Sequence, residues 1–452
     1  MRKVRFLSAV FGALVLVLLA FPLFSQEDSE RLSRPASLQF VPPVDPIGPN
    51  LDPDAADIPD QQKRLQDLTQ YPGNSFENRY RGVVAANVDS STARDELIVD
   101  FGASGVWVYS GFPGGGTWNQ ISGANPTWII SVLWGDTADE EIIGDFGSLG
   151  LWTWNYTGYP GSWTQLSGVS PDQGFALDDD ADGKQEIQLD FGATGLWRYD
   201  LDTAAWVQLS SLNALQGGIR KKHWQTNIDQ GVWSFYGYGV WSIHANTLGA
   251  TFIWQLSGSD ADYPNVSAEF GIGDDSEELI MSFGDSLGLW LAEEGTYPAV
   301  SWHQISDEDP VGSKEVRFVG ATDYELLIDF WDVDGFWMWN YSGYPGTWQK
   351  LSDNDPGGGF FEPFDPNGFG VETTGDEEVA LDFDGLGLWL YDYTTGAFTL
   401  LSASDPVYMV RADLYTSGTV DEWVVVDFGT AGLWAYDGYY NSWTQLSGVS
   451  PD

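Results

Sequence analysis

The chain contains no cysteine and only three histidines, His223, His244 and His303. Without cysteine, disulfides, thiolate metal sites, a cysteine nucleophile and a lipid-modified N-terminal cysteine are all excluded. The histidines fall at unrelated places along the chain, so no histidine metal cluster is expected. Positive charge is also scarce. Nineteen Lys and Arg stand against 66 Asp and Glu, for a net charge of −47. Phosphate backbones need a basic face, so nucleic acid is excluded as a partner. Cations and basic partners fit this balance better. Long stretches of helical periodicity are missing as well, which argues against a helical bundle.

What the chain has in abundance is glycine and aromatic area: 53 Gly, 23 Trp, 20 Tyr and 25 Phe. So much apolar ring surface argues for a packed core despite the charge. Glycine-rich punctuation between short apolar runs suits many strands joined by tight turns.

Residues 1–25 read as an export signal. Arg2, Lys3 and Arg5 form a positive end ahead of the apolar run Phe6–Phe24. The run is long enough to span a bilayer marginally, so a cleaved signal and a retained anchor are both open. Either reading implies a secreted, periplasmic or cell-surface protein, and the membrane enters only through this segment. Residues 26–78 are rich in Pro and Asp, as in Pro42-Pro43-Val44-Asp45-Pro46, and read as a linker.

From residue 79 to 452 one pattern recurs eight times. Its marker is Gly, an apolar residue, then Trp, with the Trp at 107, 152, 197, 241, 290, 337, 389 and 434. Eleven or twelve residues upstream stands Glu96, Glu141, Glu186, Gln230, Glu278, Glu325, Glu378 or Glu422. Between them lies a Phe, and five copies close on Trp-x-Gln, then Leu or Ile, then Ser. Periods of about 45 residues mark repeat architectures. Each copy reads as four strands; in the first they are Gly82–Val88, Glu96–Phe101, Val106–Tyr109 and Trp118–Ser122. The second strand, as in Leu97-Ile98-Val99, is apolar without alternation and is expected to be buried on both faces. The fold expected is all-β: an eight-bladed β-propeller of four-stranded antiparallel blades. Two closures remain open. Each blade is one contiguous repeat, or the first strand of each repeat completes the preceding blade.

The densest chemical signal is Asp178-x-Asp180-x-Asp182-Gly183-x-x-Glu186. Alternate carboxylates on a tight loop converge their oxygens, and Ca²⁺ takes six to eight such ligands, including a carbonyl, here of Lys184. The corresponding loops of the other repeats are eroded and read as turn-forming. Asp178–Glu186 followed by Ile187-Gln188-Leu189-Asp190-Phe191-Gly192 resembles the FG-GAP (VCBS-type) repeats of integrin-like propellers. That resemblance implies Ca²⁺ held between the first two strands of a blade, and a role in adhesion or recognition. The Gly-Ala-Pro half of that family's motif is absent, and only the third repeat matches fully.

The Trp residues that recur in every blade are expected to pack blade against blade. Those outside the period, Trp128, Trp154, Trp224, Trp331 and Trp339, are candidate ligand platforms. A basic run, Arg220-Lys221-Lys222-His223, reads as a solvated edge, an ion-pair patch or an anion contact. Asn155, Asn265 and Asn340 fit the glycosylation acceptor pattern. No catalytic grouping stands out from the repeats. The reading is an exported, non-catalytic binding protein for a carbohydrate or protein ligand; a propeller-fold hydrolase and a purely structural surface component are the alternatives.

Overall fold

The structure, a computed structural model, describes residues 82–452 except for the segments 90–93, 112–114, 135–138, 202, 216–217, 223–227, 246–250, 262–264, 271–276, 285–286, 295–299, 319–323, 331–332, 342–345, 358–360, 366–376 and 415–421. The signal and linker expectations, Trp224, Trp331 and His223 lie outside the described residues.

The described chain forms eight four-stranded sheets, each joining its strands antiparallel in simple order A-B-C-D. They span residues 83–122, 128–167, 173–210, 219–257, 265–306, 310–352, 361–402 and 408–447. In the first blade the strands are Val83–Ala86, Glu96–Asp100, Val106–Ser110 and Thr117–Ser122, within two residues of the sequence expectation. Every blade is one contiguous repeat, so the first of the two closures holds. The A strands line the inner rim, each touching the A strand of the next blade, and the last touches the first.

Strand B is buried on both faces because its two faces meet different blades. Leu97 and Val99 pack with Val410 and Val425 of blade 8. Ile98, between them, packs with Ile129 and Ile142 of blade 2. The two-residue period of a strand thus divides each blade's apolar residues between two neighbours, and the core lies between blades.

The glycine marker records a bulge. Leu196 faces Ser210, yet Trp197 faces Gln208, so Leu209 is left over on strand D. The same slip occurs before the marker Trp of every blade. Gly195 precedes it at φ 85° and ψ −168°, a region only glycine occupies freely. A Cβ there would also stand 2.1 Å from the Ser210 carbonyl oxygen. A bulge removes one residue from the ladder and frees its backbone groups.

The next blade uses the freed carbonyl. Trp163 Nε1–H donates to Ile121 O at 2.8 Å, Trp206 to Leu166 O at 3.3 Å, Trp302 to Leu256 O at 3.0 Å and Trp348 to Ile305 O at 3.0 Å. Each acceptor is the left-over residue of the preceding blade. The closing Trp of one repeat therefore latches onto the bulge of the one before. Nearer the axis, a second joint repeats. Glu140 N–H donates to Asn87 O, and Asn87 N–H donates back to the Glu140 carboxylate at 2.8 Å. Gln185 and Leu133 do the same between blades 2 and 3.

Both joints recur where the ring closes. Trp118 Nε1–H of blade 1 donates to Leu446 O of blade 8 at 3.1 Å. Asp95 N–H donates to Asp413 O at 2.8 Å, and Asp413 N–H returns to the Asp95 carboxylate at 2.9 Å. A third contact ties Asp452 N–H to Asp100 O at 2.9 Å, as Asp172 N–H is tied to Asp190 O in blade 3. Blade 8 thus meets blade 1 through the same bonds that join the internal neighbours.

Candidate functional site

The acidic loop of blade 3 joins strands Gln173–Leu177 and Glu186–Asp190. Its carboxylates first fold the loop itself. Asp178 accepts the Gly183 N–H at 3.0 Å, Asp180 the Asp182 N–H at 3.3 Å, and Asp182 the Lys184 N–H at 2.8 Å. Such side-chain-to-backbone bonds stabilise tight acidic turns. Gly183 sits at φ 87° with open space beside it. The loop is also tied to blade 4, where Asp229 accepts the Asp178 N–H at 3.0 Å.

One carboxylate oxygen each from Asp178, Asp180 and Glu186 lies within 4.8 Å of the others. Ligands at 2.3–2.6 Å from a common Ca²⁺ are separated by no more than about 5 Å. Asp178 Oδ1 is buried and accepts no hydrogen bond. These residues fit a hard cation. Asp182 stands outside that group of three, engaged with the loop backbone, and Lys184 contributes its place in the turn. Burial, then neighbouring carboxylates, pushes Asp180 and Glu186 above the ordinary carboxylate range. Burial raises Asp178 in the same way.

The sequence reading missed two residues here. Asp179 points inward and is fully buried, and Arg198 of strand C reaches it with hydrogen bonds of 2.8 and 3.0 Å from Nε and an Nη2 contact of 2.7 Å. The same guanidinium lies 2.9 Å from Asp200, 3.4 Å from Asp180 and 3.5 Å from Glu186. A built-in cation therefore already answers part of the carboxylate repulsion. Gln188, which faces Arg198 across the ladder, donates to Asp179 at 3.3 Å and accepts Trp233 Nε1–H of blade 4 at 2.8 Å. The result is a buried polar chain running from the loop into the neighbouring blade. Its signal was legible: other blades place Val108, Thr153, Ser242, Leu291, Met338, Leu390 or Ala435 where blade 3 has Arg198.

The recurring acidic marker is structural in the blades where its bonds are seen. Glu96, Glu186, Glu278 and Glu325 each accept an N–H from their own A–B loop, at 2.8 to 3.1 Å. The sequon residues Asn155 and Asn340 donate to Glu141 and Glu325 at 3.0 Å. Asn265 sits at the start of an inner strand. In the basic run, Arg220 pairs with Asp229 at 3.4 Å, Lys221 is buried, and Lys222 N–H donates to Glu277 at 2.7 Å. Arg220, Lys221 and Lys222 thus belong to an inner strand beside the blade 3–5 joints, with an ion pair at Arg220.

Three candidate ligand platforms are corrected. Trp128, Trp154 and Trp339 are buried among blade contacts, with no face open to a ligand. Trp154 donates its Nε1–H to Pro160 O at 2.9 Å. The marker Trp residues are less enclosed. Trp107, Trp152, Trp197, Trp389 and Trp434 are half-buried, and each donates Nε1–H to the carbonyl three residues before it, at 2.8 to 3.1 Å. In blades 1, 2, 3 and 8 the Gln of the closing motif donates to that same carbonyl. The indole is thereby braced against its own B–C turn, and Trp152 and Trp389 also touch the inter-blade clusters.

Antiparallel order puts the B–C and D–A connections at one end of the wheel and the A–B and C–D connections at the other. Exposed apolar side chains gather at the first end: Leu149, Val169, Tyr236, Leu386, Val407 and Val449. Tyr439 and Tyr440 are exposed at the other end, and Val207 and Leu400 on outer strands.

No family model matches the sequence, and no curated protein matches it. Among solved structures, the chain is similar to BBS1N in complex with ARL6DN, at 9% identity and a TM-score of 0.41, covering 67% of this chain and 89% of that one. It is also similar to Sqt1 of Saccharomyces cerevisiae, at 10% identity and a TM-score of 0.48, covering 78% and 96%.

Proposed function

We propose that the protein is an exported, non-catalytic recognition module whose B–C/D–A face binds a carbohydrate or protein ligand. The observation that carries this is the gathering of exposed apolar side chains at that end, while the marker residues of the repeats are engaged in joints and turns. Recognition by loops on a rigid scaffold is a common arrangement. The export part rests on the apolar segment of residues 1–25. Ca²⁺, held by Asp178, Asp180 and Glu186, would brace the blade 3 loop against blade 4, as the FG-GAP resemblance implies. When bound, it supplies charge compensation and rigidity.

The test is a combined glycan and peptide array probed with the exported chain and with two surface variants. Leu386→Asp with Val449→Asp alters the proposed face, and Tyr439→Ser with Tyr440→Ser alters the opposite end. Hits lost only with the first variant support the reading. Hits lost only with the second place recognition at the other end. For the metal, Ca²⁺ at 100 times its dissociation constant would add about 2.7 kcal/mol of stability. An unchanged melting temperature with Ca²⁺ or chelator refutes that part.

A further inference from the structure

We infer that the B–C/D–A face takes a cationic, partly apolar protein segment, in which Lys or Arg side chains alternate with apolar ones. This rests on the reading of that face as the recognition surface and adds the chemistry of the partner. Among the described residues of its connecting loops there is no Lys, Arg or His. Exposed carboxylates recur around it instead, at Asp172, Asp307, Asp353, Asp384, Asp405 and Asp452. Arg94, Lys184 and Arg317 all lie in A–B loops, at the other end. Connecting loops that carry only acidic charge among their described residues, on a chain of net charge −47, attract cations and repel anionic polymers and anionic membrane surfaces. The apolar side chains between the carboxylates would give a purely hydrophilic polycation less to bury than a mixed segment.

Blade 6 shows the contact such a segment would make. Its closing motif has Lys350 where blades 1, 2, 3 and 8 have Gln. The Lys350 ammonium stands 5.5 Å from the centre of the marker indole, Trp337, and 2.9 Å from Asp353 of the following D–A loop. An ammonium held over an indole and closed in by a carboxylate is a favourable cation–π arrangement. Blades 1, 2, 3 and 8 present the same half-buried indole, Trp107, Trp152, Trp197 or Trp434, without a lysine of their own. A partner's side chains would supply there what Lys350 supplies in blade 6.

The experiment measures binding of a short fluorescein-labelled peptide of alternating Lys and Leu to the full chain. Arms with a Glu/Leu peptide, a Ser/Leu peptide and a neutral oligosaccharide run beside it. Asp384→Lys on the face is compared with Val207→Lys plus Leu400→Lys on outer strands, which change the net charge equally. Thermal melts confirm that each variant folds. The inference expects the Lys/Leu peptide to bind, the Glu/Leu peptide not to bind, and Asp384→Lys to weaken binding about tenfold while the outer pair has less than a twofold effect. Leu386→Ser with Val449→Ser also weakens it several-fold. Equal losses in the two lysine variants would overturn the inference, because overall charge would then explain the binding. If a neutral or acidic probe binds and is lost with Leu386→Ser and Val449→Ser, the face stands and the partner class is wrong. If no probe responds to any face substitution, the recognition surface itself is misplaced.

Discussion

Replacing Trp118 with Phe tests how the ring closes. The substitution keeps an aromatic ring beside Phe101 and Tyr109, whose centroids lie 5.2 and 4.8 Å from the indole. It removes the Nε1–H that donates to Leu446 O across the joint between blades 8 and 1. That carbonyl is the one the bulge frees in blade 8, since Leu433 faces Ser447 and Trp434 faces Gln445. Leaving a partly buried acceptor unpaired costs about 1–3 kcal/mol. The smaller ring adds a packing loss of roughly 1 kcal/mol. The expected loss is therefore about 2–4 kcal/mol. The matching substitution, Trp163→Phe, removes the same bond at the internal joint between blades 1 and 2. Urea unfolding should show both variants shifted to lower midpoints by similar amounts with an unchanged slope. If Trp118→Phe is near neutral while Trp163→Phe is costly, the closing joint is not equivalent to the internal ones and the reasoning is wrong.

Gly195→Ala should destabilise severely, by about 3 kcal/mol or more, because it combines a backbone region hostile to side chains with a Cβ 2.1 Å from Ser210 O. Gly183→Ala, also at positive φ but facing open space, should cost only about 1 kcal/mol, and comparative melts separate the two. Arg198→Met leaves Asp179 buried without its cation and should cost about 3–5 kcal/mol; urea unfolding in chelator is the measurement, and a neutral result removes Arg198 from the account. Stability should fall between pH 5.5 and pH 8. Burial, opposed by backbone hydrogen bonds at Asp95, Glu96 and Asp100, raises these and Asp382 to about 7 from 3.8 or 4.5. Groups that bind protons more tightly when folded stabilise the fold below their unfolded values, and that stability is lost as pH rises through about 7. A melting temperature that rises from pH 5.5 to pH 8 would contradict this.

Most of the architecture was legible because each marker does the same mechanical job where it recurs. The glycine permits the bulge, and in the blades where the bonds are seen the Glu holds the A–B loop and the closing Trp reaches the neighbour. Two of the three misread aromatics were periodic in disguise. Trp154 and Trp339 occupy the strand C position that holds Tyr109, Tyr199, Tyr391 and Tyr436 in other blades. Aligning the copies by role rather than by residue type would have placed them in the core. Arg198 was hidden for a different reason. Its partner Asp179 is the residue between the alternating carboxylates, and alternation turns it inward, away from the group that draws attention. The chemistry of the loop face was the least legible part. Which loops share an end depends on strand order, and a missing charge type becomes visible only once they are gathered.

The central claim is that blades 8 and 1 are joined as firmly as any internal pair. Hydrogen exchange across the joints tests it without altering the protein. The amides of Asp95, Asp413 and Asp452 donate to Asp413 O, the Asp95 carboxylate and Asp100 O at 2.8 to 2.9 Å, and those of Gln185, Leu133 and Asp172 donate to Leu133 O, Gln185 Oε1 and Asp190 O at 2.7 to 2.8 Å. Peptides carrying the first set should exchange as slowly as those carrying the second, through the same global opening. Exchange at Asp95, Asp413 and Asp452 orders of magnitude faster than at the internal joints would mean that the wheel opens at that seam.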